Sequence, residues 1–291
     1  MKNLLFLIPV YNDWKSLDLL LKKIDFELKK KNYFSEILII NDASTIKKRI
    51  NIKNLFNIKN IFILNTKKNL GSQKCIHLAL KHINQFKKEY IITIIDSDGE
   101  DDPKEINKMI NLAIKNNDRI ITSNRLARKE SLVIRILYRV HLIVTLIITG
   151  QWISFGNYTC FNSQNLKKII KNDDGCYAHP ANVIKHSKII RIFAKRNKRF
   201  FDKSKVNFLG LMFHSLRIIS VFQKKVFFRS LIIVLFLTIS YILLKYKILL
   251  ILIDIIIFFN LIIVTNKILF KTSEFLQTKN LIKNIDILKF K

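Results

Sequence analysis

Carboxylates are scarce in this chain: 21 Asp plus Glu stand against 51 Lys plus Arg, a formal net charge of +30 over 291 residues. A charge of that sign ordinarily points to nucleic acid or an anionic membrane surface. The lysines run along the whole chain with no nucleic-acid motif among them, which reads as a compositional bias and sets nucleic acid aside as a partner. Cysteine is also rare. Cys75, Cys160 and Cys176 are odd in number, widely spaced and without a Cys-x-x-Cys or Cys/His ligand pattern, which excludes a disulfide framework. Reduced, unpaired thiols in a cytosolic setting follow. The apolar run in MKNLLFLIPVYND is too short for a signal-peptide core and has no small-residue cleavage site, so it reads as a first strand and leaves the N-terminal part in the cytoplasm.

The acids that are present gather in one stretch, YIITIIDSDGEDDPKEI, Tyr90 to Ile106. Ile91 to Ile95 has the length and β-branching of a buried strand, and it stops at Asp96, Asp98, Glu100, Asp101 and Asp102. Mg2+ or Mn2+ is held by one or two protein carboxylates and completes its shell with phosphate and water. An Asp-x-Asp at the edge of a parallel sheet offers that arrangement. The alternative is an acidic strand-to-helix turn in which Asp102 caps a helix with Pro103 at its first position; the two are compatible.

In chain order, Leu4 to Ile8, Glu36 to Ile40, Ile61 to Leu64 and the acidic-edge strand alternate with helical patterns, and Arg119 to Thr122 is a fifth strand. This predicts an α/β, Rossmann-like, mostly parallel sheet with its polar loops at one edge. Those loops carry Pro9, Tyr11, Asp13, Asp42, Gly71, Asp96 and Asp98.

The pieces LIPVYND, ILIINDAST, NLGSQKCIHLAL, IIDSDGEDDPKEI and NRLARKES, in this order, resemble the family 2 inverting glycosyltransferases with the GT-A fold, in particular the polyprenyl-phosphate (dolichol-phosphate mannosyltransferase-like) branch. The resemblance covers about half the chain. It implies that Pro9, Tyr11 and Asp13 line the base and ribose, that Asp42 bonds the base, that Asp96 contacts the ribose or sugar, that Asp98 ligates the metal, and that Gly71 and Ser97 belong to the donor-binding set. Glu100, standing where a Gln is usual, is then a further metal ligand. Arg125, with Arg128 as its neighbour, is placed near the diphosphate. Arg199, Ser204 and Lys205 match a late basic segment that contacts phosphate; a solvated charge run is the alternative for that segment, and a surface arginine for Arg125.

One departure bears on mechanism. Where relatives of that branch tend to have Gly-Asp-Phe, with the Asp a candidate catalytic base, this chain has Gly156-Asn157-Tyr158. A hydroxyl acceptor needs a base; a lipid phosphate, already ionised near neutral pH, does not. Asp173, Asp174 and His179 remain as candidate bases that the sequence does not place in the pocket.

Leu132 to Ile148 is apolar with Arg135, Arg139 and His141 at helical spacing, which predicts a helix lying in a membrane interface or buried in the enzyme domain. Leu231 to Leu244, Lys245-Tyr246-Lys247 and Ile248 to Val264 read as a hairpin of two spans, the second carrying Asp254. Lysine and arginine flank its outer ends, which predicts that the catalytic domain and both termini are cytoplasmic. The expected organisation is therefore a GT-A domain over 1–225, with 132–148 at the interface, spans within 226–266 and a basic tail over 267–291. The expected protein is a multi-pass inner-membrane enzyme using Mg2+ or Mn2+ to move a sugar from a nucleotide diphosphate sugar to polyprenyl phosphate, with self-association left open. The alternatives are a hydroxyl of a lipid-linked or surface glycan as acceptor, and a nucleotide-sugar-binding subunit without catalysis.

Overall fold

Strand β1 (Asn3–Val10) sends Leu4, Phe6, Ile8 and Val10 to one side and Leu5 and Leu7 to the other, and all six are buried. A strand covered on both faces reads as a continuous apolar run, which is why it was legible in the sequence. The computed structural model describes residues 3–47, 50–86, 88–125, 132–201, 208–270 and 278–289. Helix α1 (Trp14–Lys29) lays Leu17, Leu20, Leu21, Ile24 and Leu28 on the first face, beside Met109 and Ile110 of α3 (Ile106–Lys115). The second face is covered by α2 (Ser72–Ile83) through Cys75, Ile76, Ala79 and Ile83, with α5 (Leu166–Ile170) and α7 (His179–His186) beside it. Each such fully buried Leu or Ile contributes about 1.5–3 kcal/mol. The short helix α6 (Asp174–Tyr177) packs on α2.

β1 pairs in parallel with β2 (Ser35–Asn41) on one side and β4 (Tyr90–Ile94) on the other, and β2 with β3 (Ile58–Thr66). With β5 (Arg119–Arg125), β6 (Phe155–Asn162), β7 (Lys188–Ala194) and β8 (Ile282–Lys289) they form one sheet in the order β7-β5-β6-β4-β1-β2-β3-β8. β6 runs antiparallel to β4 and β5, β7 parallel to β5, and β8 antiparallel to β3. The winding reverses at β1, and the crevice beyond the carboxyl ends at such a point is where open α/β sheets take their ligands. The ends there are Val10, Asn41 and Ile94, directly before the loops with the predicted site residues.

The described residues divide into two units: Met1–Lys129, Ser154–Lys205 and Ser273–Lys291 form the first, Glu130–Ile153 and Val206–Thr272 the second. In the second, α9 (Gln223–Leu244) and α10 (Ile248–Phe270) form a hairpin whose turn opens at Lys245, held in the left-handed region (φ 61) with its N–H on Tyr241 O. At 1.5 Å per residue α9 is about 33 Å long. Only 6% of the apolar window of each helix is buried, so neither is the core helix of a soluble domain. Both are long and apolar enough to cross a bilayer.

Two expectations change. Helix α4 (Leu132–Thr149), expected at the interface but within the 1–225 bounds, and α8 (Phe208–Val221), also within those bounds, group with α9 and α10, on which they pack. Arg229 Nη1 donates to Ile147 O at 2.6 Å and so closes the C-terminus of α4. The segment 267–291 is not a free basic tail: α10 runs on to Phe270, and Ile282–Lys289 is a strand of the sheet, with Ile61, Ile63 and Asn65 of β3 registered on Leu288, Asp286 and Asn284.

Candidate active site

The loop after β1 is fixed by an asparagine. Asn12 adopts φ 56, a conformation Asn tolerates, and its side-chain oxygen accepts from Thr45 N at 2.8 Å and Ile46 N at 3.0 Å, which binds the β1 loop to the β2 loop. Pro9 is the penultimate residue of β1, and Tyr11 beside Asn12 is 40% exposed at the crevice edge. Asp42 is buried: Oδ1 accepts from Leu70 N at 2.6 Å and Oδ2 from Gly71 N at 2.9 Å. Its carboxylate thus shapes the turn into α2, where Gly71 takes φ 83.

The β4 loop is covered by a strap of residues 196–200. Phe200 N donates to Asp98 O at 3.0 Å, Asn197 N donates to Glu100 O at 2.8 Å, and the Phe200 ring lies where a Cβ on Gly99 would be, 2.3 Å away. Gly99 itself has φ 80, so a glycine is required twice over. Two arginines of the strap pair with the carboxylates beneath: Arg199 Nη1 with Asp98 Oδ2 at 3.0 Å and Nη2 with Asp13 Oδ2 at 3.4 Å, and Arg196 with Glu100. Asp98 Oδ1 also accepts from Glu100 N at 3.0 Å. Asp102 caps the turn at Pro103 by accepting from Lys104 N, as one reading of the acidic stretch expected. Asp98 and Glu100 are hard oxygen donors of the type Mg2+ and Mn2+ take, so the residues fit such an ion once the guanidinium groups move aside.

A second network sits behind Asp96. Asn157 Nδ2 donates to Asp96 Oδ1 at 3.0 Å and Oδ2 at 3.3 Å, Gln73 Nε2 donates to Asn157 Oδ1 at 3.0 Å, and Gln73 Oε1 accepts from the backbone N–H of His179 at 2.5 Å. A backbone N–H can only donate, so the direction of every bond in this chain is set from its buried end. Asn157 must present its NH2 to Asp96, and its oxygen is already used. His179 is fully buried, and burial pushes its imidazole down to about 3. It is neutral, bonded through Nε2 to Thr159 Oγ1 at 3.0 Å, and serves as scaffold behind Asn157 rather than as a base. Asp173 pairs with Lys81 at 2.7 Å, and Asp174 pairs with Lys185 at 2.8 Å and lies 2.9 Å from His186 Nε2.

The structure thus brings Asp13, Asp98, Glu100 and Arg199 together and joins Asp96 to Asn157. Ser97 is buried in the same turn. Arg125 ends β5, with its side chain outside the description; Arg128, Ser204 and Lys205 lie outside the described residues. Gln73 and Arg196 were missed by the sequence reading. Arg196 opens the basic RNKR run, but Gln73 is a neutral helical residue with no local signal. A cleft of about 190 Å3 near Asn3, Tyr33 and Lys88 lies at the amino ends of the strands, the wrong end for a ligand in such a sheet.

A doubly wound sheet with an Asp-x-Asp turn at its switch point, and the Asp13 carboxylate of the neighbouring loop facing the same strap, defines the class of GT-A nucleotide-sugar transferases. The chain belongs to glycosyl transferase family 2, whose model matches residues 6–179. It is 26% identical over 219 residues to undecaprenyl-phosphate 4-deoxy-4-formamido-L-arabinose transferase of Photorhabdus laumondii, a match covering 72% of this chain and 65% of that protein. The chain therefore spans just under two thirds of that relative. Among solved structures it resembles glucosyl-3-phosphoglycerate synthase from Mycobacterium tuberculosis in complex with Mn2+, UDP-glucose and phosphoglyceric acid, with a TM-score of 0.51, 12% identity and coverage of 77% of this chain and 80% of that one. The same synthase with Mg2+ and UDP gives a TM-score of 0.49 at 12% identity, covering 77% and 79%.

Proposed function

We propose that this chain is a membrane-anchored inverting glycosyltransferase that moves a sugar from a nucleotide diphosphate sugar to polyprenyl phosphate at the cytoplasmic membrane face. The observation that carries the acceptor assignment is the Asn157–Asp96 bond. The group at the position of a base is an amide locked as a donor, so the site is suited to a nucleophile that arrives already ionised. The P. laumondii relative, by its name, acts on undecaprenyl phosphate, which supports the same class of acceptor.

Tyr11 offers an exposed ring for stacking on the base, beside Pro9 and Asp13, while Asp42 holds the turn at Gly71 that borders the pocket. Asp96 and Ser97 face the ribose or sugar, and Asn157 orients the incoming phosphate. Asp98, with Glu100 as its partner, would hold Mg2+ or Mn2+; when bound, the ion neutralises charge on the diphosphate leaving group. Arg199, released from Asp98, supplies a further guanidinium to the diphosphate, in company with Arg125, Ser204 and Lys205.

Sidedness is supported by connectivity. β8 pairs with β3 in the sheet that β1 centres, so the chain crosses an even number of times and returns to its starting side. Arg217, Lys224, Lys225, Lys267, Lys271 and Lys279 outnumber the turn lysines Lys245 and Lys247, which favours the cytoplasmic side for that sheet. On α4, Ile136, Val140, Ile143 and Ile147 are about half exposed, an apolar surface suited to the membrane interface.

The test is transfer of radiolabelled sugar from a panel of UDP- and GDP-sugars, with Mg2+ or Mn2+, to undecaprenyl phosphate in detergent. Label in a mild-acid-labile lipid, lost in Asp98→Ala, is the expected result. Label only in saccharide hydroxyls would overturn the acceptor assignment, and nucleotide binding with no transfer to either acceptor would overturn the enzyme reading.

A further inference from the structure

We propose a second metal centre, formed by His77, Asp173 and Cys176 between α2 and the start of α6, that takes Zn2+. It stands independently of the glycosyl-transfer reading. The three residues offer an imidazole nitrogen, a carboxylate oxygen and a thiol sulfur that all lie within 4.8 Å of one another. Nitrogen, oxygen and sulfur donors in one cluster are the mixture that zinc accepts and that Mg2+ does not.

Three observations point to an ion. His77 is 1% exposed, and neither ring nitrogen makes an aligned hydrogen bond; Nε2 has a long 3.4 Å contact to Asp173, itself a member of the cluster. His77 Nε2 lies 3.4 Å from Asp173 Oδ1 without forming an aligned hydrogen bond. Two ligands at about 2.0–2.2 Å from a tetrahedral zinc stand roughly 3.3–3.5 Å apart, so this pair is already at the spacing the ion needs. Third, Gly175 packs against the other side of the imidazole; a Cβ there would come within 2.5 Å of His77 Nδ1, so the close approach of α6 to this ring depends on a glycine.

The charges divide: burial, with Asp173 beside it, pushes the Cys176 thiol well up, so it stays protonated until an ion binds, while the other two groups favour the ion. Burial lowers the His77 imidazole, which leaves it neutral with a lone pair to offer. Lys81 Nζ now stands 2.7 Å from Asp173 Oδ1 and supplies the positive charge that the carboxylate requires. The Lys81 side chain is 23% exposed and can turn to solvent when a dication arrives. Binding forms a sulfur–zinc bond as the Cys176 thiol gives up its proton to water; Asp173 and His77 need no proton change. Three protein ligands leave the fourth position to water, reached from the 40% exposed side of Asp173. The consequence is structural: α6 leads directly into His179, whose backbone N–H anchors Gln73, so an ion here would tie α2 to the segment that orients Asn157.

The test uses the full-length chain in detergent, stripped of metal and titrated with Co2+. A thiolate-to-cobalt charge-transfer band saturating at one equivalent is expected, together with about one zinc per chain by mass spectrometry after zinc loading. The band is to be lost in Cys176→Ser and His77→Gln and kept in Asp98→Ala, which separates this centre from the site at the β4 loop. Absence of the band in the unmodified chain, which needs no variant to fold, or its persistence in Cys176→Ser, would overturn the proposal.

Discussion

The side-chain nitrogen of Asn157 donates to Asp96 Oδ1 at 3.0 Å, while its oxygen accepts from Gln73. An aspartate at 157 would face the Asp96 carboxylate with a second one, and two like charges in contact cannot both stay ionised. Asn157→Asp is therefore expected to lower kcat/KM for transfer to undecaprenyl phosphate by about 10–100-fold, equal to ~1.4–2.8 kcal/mol. Steady-state kinetics on the purified chain measure it. Faster transfer in the variant would mean that a base had been missing and that the acceptor is a hydroxyl.

Gln73 acts through Asn157, so its effect should vanish without that partner. Gln73→Glu keeps an acceptor for His179 N but turns a second acceptor toward Asn157, which must then rotate its NH2 away from Asp96. A roughly tenfold loss of transfer is expected in the parent and little further loss in an Asn157→Ala background, a coupling of ~1–2 kcal/mol. Equal losses in both backgrounds would reduce Gln73 to a packing residue.

Why Asp96 and Asp98 were legible and Gln73 was not is a matter of locality. Five carboxylates at the end of an apolar run stand out in a lysine-rich chain, and β1, β2 and β4 are apolar because both faces are covered. β6 and β7 were not read as strands: the first carries the Gly156-Asn157 motif, and the second, KIIRIFA, is an edge strand with Arg191 and Phe193 exposed on its open face. β8, IKNIDILK, follows the hairpin and alternates charge with isoleucine, so only its pairing with β3 reveals it. The arginine strap, the Gln73 relay and the His77–Cys176 cluster each join residues far apart in sequence, and no local pattern encodes such a meeting.

Arg199 holds Asp98 Oδ2 at 3.0 Å, the oxygen that a divalent ion would need on the proposed reading. Removing the guanidinium in Arg199→Ala should tighten Mn2+ binding about three- to tenfold, or ~0.7–1.4 kcal/mol, read by electron paramagnetic resonance of free Mn2+. Transfer should fall in the same variant, because the diphosphate loses a cation. Weaker Mn2+ binding would show that Arg199 organises the carboxylates instead of blocking them.

Acid should destabilise the fold through His179. Burial holds its imidazole at about 3 in the folded chain, against a value near 6.5 when unfolded. Between those limits the unfolded state binds a proton that the folded state refuses, so stability is complete above about pH 6.5 and is lost as pH falls toward 3. His77, also lowered by burial, adds in the same direction. Asp173, held at about 2 chiefly by the His77 ring nitrogen 3.4 Å away and also by Lys81, keeps its full stabilising effect above about pH 4 and loses it only as pH falls from there toward 2. The thermal midpoint should therefore drop between pH 7 and pH 5 before any carboxylate is involved. His179→Gln keeps a donor for Thr159 but cannot titrate, and should flatten that slope; an unchanged slope would mean that His179 is not the group that acid charges.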